Sequence, residues 1–436
     1  MNMGSLGVLL SRIITKHWFK GCFEIRCPTI LSYRRYSQRL KQIPDFQHPH
    51  LFRTRAITMS TTIVILTPVV PNGGTIIMEG LVGSNRIIQY THLATPSAEI
   101  IAALSRLPSP IDTNDPEAFK AGFLAGLDSS NAIRKTFMTC PPDDELQVTE
   151  RIIPVDGGEI SVLTYVPTPR DHVKDIFPLF VWIHGGGWSF TILKLDDFML
   201  RRICFELKIS IVSVAHRVAP EFPFPVPVND CYEALKWTVS NASDLSASPA
   251  KGLIIGGCSS GGNIAAALAL RARDDPFFNK EGGKAITGQL LQVPAVIHPD
   301  VVPAKYKPEL LSYEQCKDAP VLPAKNMYTF LKFYKPDPYS PLFSPLLASS
   351  HEGLPPAYLQ ISGMDPLRDE CFLYEKVLKR SGVITKLDVY TGYIHGGNYT
   401  LPGLEITRMY EQDFVEGIRW LLQLNGHEVT SPASSK

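Results

Sequence analysis

The stretch Gly257-Cys258-Ser259-Ser260-Gly261 constrains this chain more than any other. It follows the apolar run Leu253-Ile254-Ile255 and opens onto Asn263-Ile264-Ala265-Ala266-Ala267, a run of small residues suited to a buried helix. A strand, a sharp turn with one serine at its apex and a helix make up a nucleophile elbow. The turn forces its central residue into a strained backbone, and the flanking glycines let strand and helix approach. The serine oxygen is then held up at the C-terminal end of a parallel strand, facing the positive end of a helix. Only Ser259 has glycine at both −2 and +2, so it is the expected nucleophile rather than Ser260.

A serine pattern of five residues also arises from tight-turn packing, so a second element is needed. His184-Gly185-Gly186-Gly187-Trp188 supplies it, directly after the apolar strand expected over 177–183. Consecutive glycines let backbone N–H groups turn toward a ligand without side-chain obstruction. In acyl transfer such donors hold the oxyanion, and losing one costs about 10²–10³ in rate. The expected donors are Gly186, Gly187 and the N–H of Ser260, with Gly185 shaping the loop.

These segments resemble the hormone-sensitive-lipase-like branch of the α/β-hydrolases, with its HGGGW-type loop and GDSAGGN-type elbow. Two further stretches fit the same pattern: His216-Arg217-Val218-Ala219-Pro220-Glu221 resembles YRLAPE, and Asp365-Pro366-Leu367-Arg368-Asp369-Glu370 matches DPLRDE. His395-Gly396-Gly397 resembles the histidine loop, and the order nucleophile, acid, histidine is that of the family. The resemblance runs from about Ser97 to Leu424. It departs at Cys258, where Asp is usual, at Ser260 for Ala and at His216 for Tyr. Cys258 is expected to be a buried small residue rather than a rival nucleophile.

Serine needs an adjacent base. His395 follows the strand-like run 384–390 and lies at the edge where open α/β sheets place ligands. His298 sits among Pro294, Pro299 and Pro303, which suits a turn, and His184 suits a support for the glycine loop. The orienting carboxylate is expected after the strand 357–363, at Asp365. Asp369 is the alternative, placed to stabilise the start of a helix over 368–380.

What the resemblance implies is a serine carboxylesterase acting on uncharged short- to medium-chain esters, without metal or organic cofactor. The same triad serves lactones, amides and acyl acceptors, and related plant hormone receptors bind small molecules without hydrolysis but lack the histidine present here. A net charge of +1 gives no reason to expect a nucleic-acid partner. The eight cysteines show neither metal-ligand spacing nor a disulfide framework, which suits a reduced intracellular compartment. No apolar run approaches the roughly 18 residues of a membrane-spanning helix.

Residues 1–58 carry ten Lys and Arg against Glu24 and Asp45 alone. A basic amphipathic start over 9–20 fits a mitochondrial presequence, while translation from Met59 would make the arm a non-native extension; the chain is then cytoplasmic or mitochondrial. Residues 59–96 read as coil or strand. From 97 to 428 the pattern is one hydrolase domain, with a hairpin over 151–166 and then strands alternating with helices. This predicts a mostly parallel sheet flanked by helices, an α/β fold. Two segments, 97–145 and 299–345, are expected to form a lid; the second is aromatic and holds a helix over 326–334. Residues 429–436 read as a frayed tail.

Overall fold

The computed structural model describes strand residues 52–56 and 64–68, residues 90–107, parts of 115–144, and 145–426 except 169–174 and 192. The chain divides into two units, Met1–Ser84 and Asn85–Lys436. In the first, β1 (Phe52–Ala56) pairs antiparallel with β2 (Val64–Pro68). The remainder of the basic arm and the tail after residue 426 lie outside the described residues.

The second unit is built on an eight-stranded sheet: β3 (Leu146–Val155), β4 (Gly158–Pro167), β5 (Leu179–Ile183), β6 (Ser210–Ala215), β7 (Leu253–Cys258), β8 (Gly288–Gln292), β9 (Ala357–Met364) and β10 (Thr385–Ile394). Their order across the sheet is β10-β9-β8-β7-β5-β6-β4-β3. The hairpin β3–β4 is antiparallel and joins β6 antiparallel; every pairing from β6 to β10 is parallel. Parallel strands need crossovers, and these are α2 (Asp197–Leu207), α3 (Val226–Ser240), α4 (Ser260–Asp274) and α6 (Arg368–Arg380), with α7 (Glu405–Leu424) last. All five residues of β5 are fully buried, which requires helices on both faces of the sheet and explains its unbroken apolar sequence. Phe414 of α7 packs on Trp182 of β5, with ring centroids 4.9 Å apart.

Two helices belong to the expected lid segments. α1 (Ala98–Leu104) is capped by Ser97, whose hydroxyl accepts from the Ile100 N–H at 3.3 Å. Its Ile100 is buried in a cluster with Tyr390, Tyr393 and Ile394 at the end of β10. α5 (Ala324–Tyr334) carries Met327, Phe330 and Tyr334 inward, and Tyr334 stacks on Trp188 at 4.9 Å.

The sequence marks β10 only to about 391, yet the strand runs to Ile394 through a register shift between Tyr390 and Ile394. Gly392 makes the shift possible. Its φ is 71°, and a Cβ there would strike Pro96 and the Thr95 carbonyl. The bulge delivers His395 to the C-terminal edge of the sheet.

Candidate active site

Ser259 sits between β7 and α4 with φ 56° and ψ −118°, a backbone that L-residues rarely adopt. Its own N–H donates to the Gln292 carbonyl at 2.8 Å, which pins the turn to β8. The two flanking glycines are required by close approach. A Cβ at Gly261 would collide with the carbonyls of Ile183 and His184, and one at Gly257 with the backbone of Gly261. The turn is strained because β7, α4 and the end of β5 meet without room for side chains.

The structure brings Ser259, His395 and Asp365 together. The Ser259 hydroxyl lies 2.8 Å from His395 Nε2, and His395 Nδ1 lies 2.7 Å from Asp365 Oδ2. A carboxylate can only accept, so Nδ1 carries the proton and Nε2 is free to accept from the serine. Asp365 is almost fully buried, and its other oxygen accepts from the Leu367 N–H at 2.8 Å, which fixes the carboxylate plane. Asp369 has another task. Its Oδ2 accepts from the N–H groups of Leu311 and Ser312, both at 2.8 Å, and its Oδ1 from Arg368 Nε at 2.8 Å. It therefore ties the 299–345 segment to α6. His298 has another task too: its Nδ1 accepts from the Asp300 N–H at 3.2 Å, at the start of a short turn.

The pocket above Ser259 is lined by Gly185, Gly186 and Gly187, by His395 and Gly396, and by an apolar wall. Val321, Leu322, Met327 and Phe330 of the 299–345 segment supply that wall, facing Leu367 and Tyr399. Gly186 and Gly187 have φ values of 117° and 58°. A Cβ at Gly187 would run into the Phe330 ring, and one at Gly186 would sit 2.8 Å from the Phe190 carbonyl oxygen. The glycine loop is thus clamped between two aromatic residues, Phe190 and Phe330, themselves edge-to-face at 5.6 Å. Ser260 opens α4, where the first amides of a helix have no intrahelical acceptor.

The family model described as alpha/beta hydrolase fold matches residues 180–398, a span that holds all of these motifs. The chain belongs to the α/β-hydrolase fold family, in its hormone-sensitive-lipase-like branch. An AB hydrolase superfamily protein of Schizosaccharomyces pombe is 37% identical over 65% of this chain and 82% of its own length. The versiconal hemiacetal acetate esterase of Dothistroma septosporum is 32% identical over 71% of this chain and 90% of its own. Among solved structures, a vibralactone cyclase superposes with a TM-score of 0.73 at 36% identity, covering 77% of this chain and 97% of that one. Among the described residues of this hydrolase, no helix is long and apolar enough to cross a membrane.

Other polar groups around the site lie within the motif segments and have structural tasks that the motifs do not spell out. Asn263 of α4 donates through Nδ2 to the carbonyls of Ala295 and Phe343, at 2.8 and 2.6 Å, and accepts from Trp188 Nε1 at 3.3 Å. One amide thereby joins the glycine loop to the loop after β8. Glu370, fully buried, accepts through Oε2 from the N–H groups of Val296 and Ile297. Behind the glycine loop His184 and His216 stack at 4.7 Å. The Nδ1–H of His184 donates to the Gly185 carbonyl at 2.7 Å, and that of His216 to the Arg217 carbonyl at 2.8 Å.

These buried groups give the hydrolase a two-sided pH response. Burial lowers His184 to about 4, against its hydrogen bond to Gly185, and lowers His216 to about 3, helped by the neighbouring His184. Both folded values lie below the ordinary 6.5, so their stabilisation is complete above pH 6.5 and is lost as pH falls toward 4 and 3. Burial raises Glu370 to about 8, above its ordinary 4.5, so its contribution is complete below 4.5 and is lost as pH rises to 8. Each group changes stability by about 1.4 kcal/mol per pH unit inside its window. Two histidines outweigh one glutamate below pH 6.5, and only the glutamate acts above it. Thermal melts should therefore peak near pH 6.5 and decline toward 8, and Glu370→Gln should flatten the alkaline side. A melting temperature that climbs from pH 6.5 to 8 would contradict this assignment.

Proposed function

We propose that this hydrolase is a serine carboxylesterase for uncharged short- to medium-chain esters. The observation that carries the reading is the hydrogen-bonded series Asp365–His395–Ser259, at 2.7 and 2.8 Å, opening into an apolar pocket. Ser259 Oγ attacks the ester carbonyl carbon while His395 Nε2 takes its proton. Asp365 holds the imidazole in the required tautomer and stabilises the imidazolium without itself being protonated. The oxyanion is held by the N–H groups of Gly186, Gly187 and Ser260, which cost nothing to reorganise because the loop is already clamped. His395 returns its proton to the leaving alcohol. It then removes a proton from water, which attacks the acyl carbonyl, and passes that proton to Ser259 Oγ as the C–Oγ bond breaks and the acid is freed.

Relatives support this reading. Besides the acetate esterase, a carboxylesterase of Mycobacterium tuberculosis is 32% identical over 64% of this chain and 85% of its own. The lining is apolar, which favours uncharged substrates, and His395 in reach of Ser259 argues against a receptor that binds without turnover. The likeness to a vibralactone cyclase favours a second reading, in which an internal hydroxyl of the substrate replaces water as acyl acceptor. The same triad serves both.

The test is a series of p-nitrophenyl esters from acetate to decanoate, with lactones alongside, and labelling by a fluorophosphonate. Turnover of the shorter esters with a single adduct on Ser259 is the expected result. Labelling of another residue, or no turnover of any ester or lactone, would remove the proposal.

A further inference from the structure

Asp196 is a buried acid that the acyl-transfer steps do not use. It stands directly before α2 and is only 3% exposed, whereas its neighbour Asp197 is engaged by Arg201 Nε at 2.9 Å and the Tyr165 hydroxyl at 3.0 Å. Both Asp196 oxygens accept hydrogen bonds. Trp182 Nε1 donates to Oδ2 at 2.7 Å, and the Tyr399 hydroxyl donates to Oδ1 at 2.7 Å. Trp182 belongs to β5, two residues ahead of His184 and the glycine loop. Tyr399 belongs to the four-residue helix Gly397–Thr400 that follows His395, and it lines the pocket.

The Tyr399 hydroxyl also neighbours the thiol of Cys258, the residue before the nucleophile. That thiol is buried, and burial pushes it up, so it remains neutral. One carboxylate beneath the elbow thus connects the strand that carries the glycine loop with the turn that carries the base. The turn needs such an anchor. It contains Gly396, at φ 65°, and Gly397, and a glycine pair holds no geometry by itself. A buried carboxylate that loses a donor is costly, so Asp196 resists any movement of Tyr399.

We propose that Asp196 is a positioning residue for His395, acting through Tyr399, and that it supplies from the turn before α2 the carboxylate that the elbow lacks at Cys258. The proposal rests on the triad reading above. Asp196 does not line the pocket; it restricts the Gly396–Thr400 turn so that Nε2 stays on the Ser259 hydroxyl. A displacement of about 1 Å at a reacting group is enough to cost on the order of 10²-fold.

The test uses the full chain with Asp196→Asn, Tyr399→Phe and the two combined, then Cys258→Asp alone and with Asp196→Asn. Asp196→Asn should lower kcat on a short ester about 10- to 100-fold with KM changed less than about threefold. The Asp196→Asn/Tyr399→Phe pair should be no slower than its slower member, because both remove one linkage. Cys258→Asp should lower activity in the wild type, where it adds a second buried acid, and raise it in the Asp196→Asn background. A variant Asp196→Asn with wild-type kcat and only a lower melting temperature overturns the proposal. So do losses that multiply in the pair, or a folded Asp196→Asn/Cys258→Asp with no recovery. If Asp196→Asn fails to fold, Tyr399→Phe decides: unchanged kcat overturns the proposal, and a 10-fold or larger loss at unchanged melting temperature supports it. Wild-type turnover and Ser259 labelling are measured in parallel. Their absence sinks the esterase reading, whereas their presence with an indifferent Asp196→Asn sinks this inference alone.

Discussion

Ser259→Ala should lower kcat for a short ester by roughly 10⁴- to 10⁶-fold while the melting temperature stays within a few degrees of wild type. The substitution removes only the hydroxyl that His395 Nε2 approaches at 2.8 Å, and alanine adds no atom to the crowded turn. Residual turnover fits, because the glycine loop and the pocket still bind the substrate and polarise its carbonyl. Ser260→Ala is the control. Ser260 is buried at the start of α4 and its Oγ has no partner among the described residues, so its loss should cost little. The elbow assignment is lost if these two outcomes are exchanged, with Ser260→Ala inactive and Ser259→Ala active.

The sequence carries the elbow well because its cause is local. Gly257 and Gly261 are forced by backbone collisions within a few residues of the serine and against β5, so the spacing itself records the geometry. β5 is legible for a similar reason, since burial on both faces leaves a continuous apolar run. What the sequence hides depends on distant partners. No motif marks Asp196, one of two adjacent acids, and its buried bond to Tyr399, far along the chain, is tertiary. Asn263 closes the GDSAGGN-type segment, but its task shows only when its amide is seen bridging Trp188, Ala295 and Phe343. The extension of β10 past 391 depends on Gly392 passing against Pro96, a contact that no periodicity records. In Asp369 the sequence gives a helix-start acid, and it does stand in the first turn of α6; its two bonds to the 311–312 amides are tertiary.

Those bonds separate two acids that stand four residues apart and lead to the second large expected effect. Asp365→Asn should reduce kcat by roughly 10⁴-fold, because an amide facing Nδ1 favours the wrong imidazole tautomer and removes the charge that steadies the imidazolium. The geometry around it would persist, since the Leu367 N–H can still donate to the amide oxygen. Asp369→Asn keeps the triad intact and weakens the attachment of the 299–345 segment, whose Leu322, Met327 and Phe330 form the pocket wall. Its effect should fall on KM and melting temperature, with kcat within about tenfold of wild type. The pH dependence of kcat gives a further separation, because only Asp365 faces the base: its variant should alter the profile, and Asp369→Asn should leave it in place. A large kcat loss in Asp369→Asn alongside a nearly normal Asp365→Asn would transfer the acid's role to α6 and break the reading of the site.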